Sequence, residues 1–178
     1  GAALPVPFDA QTTQFALDFI SGRLRGLLLE RGYRYDVVDA VLKAQAANPA
    51  KAERFARSLG AWTAREDWNI ILPAYSRCAR ITRDIKGVYP VDETALVEGE
   101  ERTLLASVRA AQTRLDNNAD LNAALEAVRA MVPEINAFFD KVLVMAEDEN
   151  LRKSRLGLLQ AIVALVRPLA DLSALEGF

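Results

Sequence analysis

The sequence of 178 residues predicts an all-α fold, a helical bundle of about eight helices. Apolar residues recur at helical spacing along most of the chain, and residues that favour helix starts and stops bound these segments. No run alternates apolar and polar residues between turn dipeptides, as a half-buried strand would. We expect one domain over residues 12–178, preceded by a lead-in over residues 1–11.

The first predicted helix starts at Thr12 or Thr13 and stops at Gly32. Its apolar face comprises Leu17, Ile20, Leu24, Leu27 and Leu28. Gly22 and Gly26 lie four residues apart within it, and each costs about 1 kcal/mol relative to alanine in a helix interior. Two explanations stay open: another helix approaches closely there, or an RNA backbone does.

Two short helices and a long one follow. Residues 37–46 form one after the capping residue Asp36, and residues 49–60 form another with Pro49 in its first turn. Thr63 and Glu66 have the spacing of a capping box, which predicts a long helix over residues 64–86 that Pro73 kinks. Residues 89–99 are then expected to form a loop.

The last part of the sequence, from residue 100 onward, predicts four helices. One covers residues 100–115 and is broken at Asn117-Asn118; the next starts at residue 119 or 120 and ends near Met131. Two further helices, joined by the acidic turn 147–149, are expected to form an αα-hairpin. The second is apolar over more than half its circumference, which predicts a position in the middle of the bundle. The apolar positions of the first are Ile135, Phe138, Phe139, Val142 and Leu143.

The composition excludes several classes of site. The chain has no histidine, so it has no histidine-based triad, general base or metal site. Cys78 is the single cysteine, which excludes an intrachain disulfide and a zinc site built from several cysteines. We expect a cytoplasmic protein. We expect no membrane span, since the longest apolar run is too short, and no signal peptide.

No phosphate-binding glycine loop and no dinucleotide-binding motif matches, so the sequence shows no nucleotide site of these kinds. Two acidic clusters, residues 98–101 and 147–149, could in principle hold a metal ion or an acid–base pair. Both lie where a helix starts, and capping together with the helix dipole explains them. We therefore predict no catalytic residue and no metal ligand.

A basic cluster lies at the end of the long helix: Arg77, Arg80, Arg83 and Lys86. Arg77 and Arg80 are about 60° apart on the side opposite the apolar stripe, so both should face outward. A local basic surface within a chain of net charge −2 suits the positioning of phosphates. The alternative is a solvated helix C-terminus, where the dipole favours cations.

Other residues are candidates for RNA contact or for structure. Arg23 and Arg25, about 200° apart on the first helix, cannot serve one surface. Tyr33, Tyr35 and Tyr89 lie near turns and could stack on unstacked bases. Arg155 falls on the apolar side of the last long helix, so we predict a structural ion pair with Asp140 or Asp148.

The chain resembles a known family in several stretches. The best match combines Phe138-Phe139-Asp140-Lys141-Val142, Val144-Met145-Ala146-Glu147-Asp148, and Leu151-Arg152, Arg155-Leu156 and Leu158-Leu159. The segments 19–26 and 36–42 also match, as does the element over residues 74–81, although Ser76 and Arg80 replace a lysine and an asparagine there. Together these stretches are similar to the C-terminal end of the bacterial glycyl-tRNA synthetase β subunit.

The resemblance implies an all-helical anticodon-binding domain, similar to that of arginyl-tRNA synthetases. It implies that this chain is not catalytic by itself. A separate α subunit would activate glycine with ATP and magnesium within a heterotetramer, while this part of the β subunit binds tRNA-Gly. The residues expected to contact tRNA are the basic cluster together with Arg25 and Arg23. Two rivals stay open: an arginyl-tRNA-synthetase-type anticodon domain, and a helical protein–protein interaction module.

Overall fold

The computed structural model describes residues 10–115 and 120–178, with side chains from residue 12 onward. These residues form eight α-helices and two short 3-10 helices, with no strand among them, which confirms the predicted fold class. The helices are α1 (Ala10–Glu30), α2 (Tyr35–Gln45), α3 (Pro49–Thr63), α4 (Trp68–Thr82), α5 (Gly99–Leu115), α6 (Leu121–Ala130), α7 (Val132–Lys141) and α8 (Glu149–Val166). The 3-10 helices are Glu93–Ala95 and Leu172–Ala174. The expected break at Asn117-Asn118 and most of the expected lead-in lie outside the described residues.

Helix α8 lies in the middle of the bundle, as its apolar circumference predicted. It packs against α4, α5 and α6. Leu158, Leu159, Ile162 and Val166 are fully buried along it. Helices α1, α2 and α3 pack in sequence beside this group, and α2 also contacts the C-terminal 3-10 helix. The N–H of Asp171 donates to the carbonyl of Ala40 at 2.8 Å, which fixes the C-terminal segment to α2.

The expected αα-hairpin of α7 and α8 is wrong. Helix α7 packs chiefly against α5 and α4. It ends at Lys141, and the following residues are not helical but alternate in burial: Val142, Val144 and Ala146 are buried, while Leu143 and Met145 are exposed. A period of two suits extended backbone. This segment replaces the short turn of a hairpin, and it carries the chain away from α7 before α8 begins.

The predicted long helix over residues 64–86 is shorter at both ends. Helix α3 continues to Thr63, whose hydroxyl donates to the carbonyl of Gly60 at 3.0 Å and does not cap the next helix. The turn before α4 is closed by the side chain of Arg65, which donates to both carboxylate oxygens of Asp67 at 2.7 and 2.8 Å. Helix α4 ends at Thr82, and its Pro73 is exposed.

Only part of the predicted apolar face of α1 is buried. Leu24 and Leu28 pack into the core, but Leu17, Ile20 and Leu27 are exposed. A Cβ atom placed on Gly22 or Gly26 would have no neighbour within 4 Å among the described residues. Close packing against another helix of the described residues is therefore excluded as the reason for these glycines, and the approach of an RNA backbone stays a prediction.

Residues 87–92 run back along α8 and are held to it by four hydrogen bonds. The side-chain amide of Gln160 donates to the carbonyl of Gly87 at 2.9 Å and accepts from the N–H of Tyr89 at 2.9 Å. Further along, Ser154 accepts from the N–H of Asp92 at 3.2 Å, and Asn150 donates to the Asp92 carboxylate at 3.0 Å. We call residues 87–92 the strap.

No helix in the described part of the chain is long and apolar enough to cross a membrane.

Candidate nucleic-acid interface

Helix α4 presents its basic residues because its other side is fixed in the core. Trp68, Ile71, Leu72 and Tyr75 are buried, which leaves Arg77 and Arg80 exposed on the far side. Their orientation therefore agrees with the predicted one. Neither arginine has a carboxylate partner among the described residues, so both guanidinium groups are available to an anion.

Both exposed arginines lie over aromatic rings that the sequence analysis did not associate with them. The guanidinium carbon of Arg77 is 4.3 Å from the ring centroid of Phe139 on α7, and that of Arg80 is 5.5 Å from the ring centroid of Phe178. A ring face attracts a cation and restricts the orientation of the planar group, while its N–H edges remain free. Such guanidinium groups are ordered in advance for phosphate contact.

Arg83 lies just past the end of α4 and is exposed, as is Lys86. The structure brings Arg83 together with Arg167, which occupies the same position after α8. Both line a cavity of about 370 Å³ and a smaller one of about 170 Å³ beside it. The four predicted cations thus share the C-terminal half of α4 and the turn after it, and Arg167 adds a fifth positive charge.

Two other titratable side chains of α4 are buried, and one of them, Tyr75, borders the smaller cavity. Burial raises the pKa of Tyr75, whose hydroxyl lies 3.4 Å from the carbonyl of Val163 on α8. Burial also raises the pKa of Cys78 to about 12, so this thiol is protonated and unreactive at neutral pH. Both groups serve the packing of α4 against α8.

Arg23 and Arg25 lie on a helix that, in the described part of the chain, does not pack against the helix of the basic cluster. Both lie on α1, which packs against α2, whereas α4 packs against α8, α7 and α6. The side chain of Arg25 donates to both carboxylate oxygens of Asp39 at 2.6 and 3.1 Å, which occupies much of its binding capacity. Arg23 is exposed and has no ion-pair partner in the described ranges. Their contact with tRNA stays a prediction.

The three candidate stacking tyrosines differ in availability. Tyr33 is half-buried, and its hydroxyl lies against Arg57, which raises the pKa of that guanidinium. Tyr35 is exposed, and its hydroxyl donates to Glu176. Tyr89 is half-buried in the strap, with the amine of Lys153 6.0 Å from its ring centroid.

The predicted partner of Arg155 is wrong. Arg155 pairs with Glu101 on α5 rather than with Asp140 or Asp148, and it donates a second hydrogen bond to the carbonyl of Leu143 at 2.7 Å. Asp140 is exposed, and Asp148 accepts from the N–H of Leu151 at 2.7 Å as the cap of α8. The prediction of a buried structural arginine is confirmed; the helical wheel could give its direction but not its neighbour.

The acidic clusters have structural roles in the described residues. Glu101 accepts from the N–H of Glu98 at 2.7 Å besides pairing with Arg155, and Glu149 pairs with Lys153 at 2.6 Å. No group of three or more acidic or cysteine side chains that could hold a metal ion occurs in the part of the chain that the structure describes.

Sequence reasoning missed Arg167, Phe139 and Phe178 as parts of the basic surface. Arg167 precedes Pro168, and this pair marks a helix end with a cation at its C-terminus. That signal was present in the sequence. No local signal shows that the ends of α4 and α8 are neighbours, or that the rings of α7 and of the C-terminus lie under arginines of α4.

Comparison with known proteins gives a family and several relatives. Residues 71–172 match the model of the DALR anticodon binding domain. The chain is 40% identical to the glycine–tRNA ligase β subunit of Moorella thermoacetica over 98% of its own length and 26% of that protein. It is 34% identical to the chloroplastic/mitochondrial glycine–tRNA ligase 2 of Arabidopsis thaliana over 98% of its length and 16% of the relative. It is 35% identical to the glycine–tRNA ligase β subunit of Geotalea daltonii over 89% of its own length and 23% of that protein. The chain therefore spans about a quarter of the bacterial relatives.

Proposed function

The chain belongs to the DALR anticodon-binding domain family, and on this premise we propose that it binds the anticodon arm of tRNA-Gly as part of a glycine–tRNA ligase β subunit. The observation that supports this most directly is the exposed basic surface at the C-terminal half of α4. It carries four cations and one carboxylate, Asp84, in a chain of net charge −2. Phosphate contacts made there would fix the orientation of the anticodon arm.

The domain contributes binding energy and specificity rather than bond chemistry. Arg77 and Arg80, supported by the rings of Phe139 and Phe178, hold two backbone phosphates. Arg83 and Lys86 extend this contact beyond the end of α4. With the arm held in register, loop bases that have left their stack can be recognised by neighbouring side chains.

The same proposal covers the remainder of the enzyme. The rest of the β subunit and a separate α subunit would complete a heterotetramer in the cytoplasm. Glycine activation with ATP and magnesium would belong to the α subunit, as the family resemblance implies. This chain then affects the rate of aminoacylation only through the position of the bound tRNA.

The test is a titration of labelled tRNA-Gly with the 178-residue chain at low and moderate salt. A tRNA-Gly with a changed anticodon serves as the second ligand. We expect affinity to fall steeply with salt and to fall further with the changed anticodon. The double variant Arg77→Glu/Arg80→Glu should lower the slope of log affinity against log salt by about 1.4 to 1.8, since two phosphate contacts are lost.

A matched control is Arg54→Glu/Arg114→Glu. It makes the same change in net charge, and Arg54 also lies over an aromatic ring, 5.4 Å from the centroid of Phe55. This control should retain most of the affinity. If both double variants lose the same affinity for tRNA-Gly, the loss comes from the change in net charge alone, which would contradict the proposed surface. Binding by the unchanged chain that ignores both salt and anticodon, or no binding at low salt, would contradict the function itself.

A further inference from the structure

A cleft lies between the C-terminal ends of α4 and α8, beside the basic surface on α4. We call it the α4/α8 cleft. Its volume is about 370 Å³, near the lower limit of the roughly 300–1,000 Å³ typical of small-ligand sites, so it suits one small planar group. Its walls come from α4 and the turn after it on one side and from α8 on the other. Residues that line it include Thr82, Arg83, Val88, Gln160, Ala164 and Arg167.

The walls of the cleft are mostly apolar, but they offer both donors and an acceptor. Ile85, Val88, Val163 and Pro168 supply apolar surface. Pro168 has no N–H, so the carbonyl of Ala164 lacks the donor that a continuing helix would supply four residues later. This carbonyl can accept from an exocyclic amine. Apolar walls with a few polar groups are typical of a small-ligand site, and a heterocyclic ring with hydrogen-bonding edges matches this lining.

The donors are the guanidinium groups of Arg83 and Arg167. Both line the cleft and also the smaller neighbouring cavity, so they lie at the boundary between the two. Neither has an ion-pair partner among the described residues. The helix dipoles favour a cation after each helix, which accounts for each arginine separately. They do not account for two uncompensated cations that face the same apolar cleft.

Among the described side chains that line the smaller cavity, Asp171 is the one carboxylate, and it does not neutralise these arginines. Asp171 lines that cavity, but it pairs with Lys43 at 3.5 Å and accepts from the N–H of Ser173 at 3.1 Å. The positive charge at the boundary of the cleft therefore remains available to a ligand. An anion beside an apolar slot is the arrangement of a nucleotide, with its phosphate at the boundary and its base inside.

The geometry points to the α4/α8 cleft as the site that takes one unstacked base of the bound RNA, with the adjoining phosphate held by Arg83 and Arg167. This inference rests on the proposed function and adds the site at which a loop base is sensed. The surface on α4 is continuous with it, because Phe178, the ring under Arg80, lines the smaller cavity. A strand whose phosphates follow Arg77 and Arg80 reaches the cleft at Arg83.

The experiment fills the cleft without changing its charge. Ala164→Trp fills it from α8, and Val88→Trp fills it from the strap; both residues are exposed, so either change leaves the core intact. Ala110→Trp, at an exposed position of α5, is the matched control. The RNA is a hairpin with the anticodon stem and loop of tRNA-Gly, bearing 2-aminopurine at one loop position at a time. Thermal unfolding of each variant checks that it is folded.

We expect one loop position to change its fluorescence when the unchanged chain binds, and this change to disappear in both cleft-filling variants. Their affinity for the hairpin should fall about tenfold, the effect of losing one well-stacked base. Discrimination against the loop with that base changed should disappear, while the salt slope stays the same. The control should behave as the unchanged chain does.

A second pair of variants tests the phosphate. Arg167→Gln and Arg83→Gln should each lower the salt slope by no more than about 0.9, the value for the one phosphate that they share, and weaken binding to all loop sequences alike. Arg114→Gln is the control for removing an exposed arginine. If the arginine variants behave so but the cleft-filling variants change nothing, the site holds phosphate alone and the inferred base site is overturned.

The remaining outcomes separate the inference from the function on which it rests. If the unchanged chain binds RNA with salt and anticodon dependence, while all four cleft variants match it, the inference fails and Arg83 is removed from the proposed phosphate contacts, but the proposed function stands on Arg77 and Arg80. In that case the cleft is free to serve a protein segment. If the unchanged chain binds no RNA, both fail together.

Discussion

The guanidinium of Arg155 on α8 is ion-paired with the carboxylate of Glu101 on α5, and the two side chains are 6% and 0% exposed. The pair also binds backbone on both sides: Arg155 holds the carbonyl of Leu143, and Glu101 accepts from the N–H of Glu98. Two non-helical segments are thereby fixed to the centre of the bundle. Both charges of such a buried pair are needed for the stability of the folded state, because one charge left buried without its partner destabilises the fold.

Glu101→Gln should therefore lower the free energy of unfolding by about 3–5 kcal/mol, since it leaves the Arg155 charge buried without a counter-charge. Combining it with Arg155→Met should cost less than the sum of the two single changes, as expected for residues in direct contact. Urea denaturation of the four proteins measures this. The control is Asp140→Asn, at the partner expected from sequence, which should cost no more than about 0.5 kcal/mol. A large loss in that variant, or additive losses in the pair, would contradict the arrangement.

This pair also shows how far the sequence determines the fold. Periodicity predicted the number of helices, the central position of α8 and the burial of Arg155, because each follows from the residues of one helix. The partner is 54 residues away in sequence, and the choice among Asp140, Asp148 and Glu101 depends on how helices pack. The wrong αα-hairpin has the same cause. The helical wheel of α7 gave the buried positions Ile135 and Phe138, but Val142 and Leu143 lie beyond its end at Lys141, and Leu143 is exposed. Which helix this face meets depends on contacts that the wheel does not contain.

The candidate site divides in the same way. The outward direction of Arg77 and Arg80 could be predicted from one helix, since both lie opposite its apolar stripe. Their support by Phe139 and Phe178 could not, because those rings come from other parts of the chain. The α4/α8 cleft was missed for the same reason. It exists only where the ends of two helices, far apart in sequence, become neighbours.

Gly157 on α8 is required by the close approach of the strap. A Cβ atom at this position would lie 2.5 Å from the carbonyl oxygen of Tyr89 and 3.4 Å from that of Pro90. Gly157→Ala should therefore push the strap away and lower stability by about 1–3 kcal/mol, although alanine favours the helix. Chemical denaturation measures the loss, and faster amide exchange at Tyr89 would locate it.

Gly60→Ala on α3 is the matched control. A Cβ atom there has no neighbour within 4 Å among the described residues, so the substitution gains helix propensity at no steric cost. It should stabilise the protein by up to about 1 kcal/mol. Equal effects of the two substitutions would show that the strap does not press on α8.

The strap should also respond to acid through Asp92. Hydrogen bonds from Thr94 and Asn150 hold the pKa of this carboxyl below its usual value of 3.8. A lowered folded-state pKa stabilises the protein fully above the unfolded value of about 3.9, and this contribution is lost as pH falls through the folded value. The difference in unfolding midpoint between the unchanged chain and Asp92→Ala should be constant from about pH 8 to pH 5 and shrink below about pH 4. Asp84→Ala, at an exposed position after α4, is the control. A difference in unfolding midpoint that grows as the pH falls would mean that folding raises the pKa of Asp92 and would contradict this prediction.

The ring of Phe178 should affect RNA affinity without changing its salt dependence. Phe178→Ala removes the surface under Arg80 but no charge, so we expect affinity for the tRNA-Gly hairpin to fall about two- to fivefold, the value of an exposed cation–π contact. The salt slope should stay constant, whereas Arg80→Ala should lower it by about 1. Ile70→Ala removes an exposed apolar side chain at the start of α4, the end of that helix away from Arg80, and is the control. A slope lowered by about 1 in Phe178→Ala would mean that the phosphate contact of Arg80 depends on the ring. An unchanged affinity would mean that Arg80 binds phosphate without support from the ring.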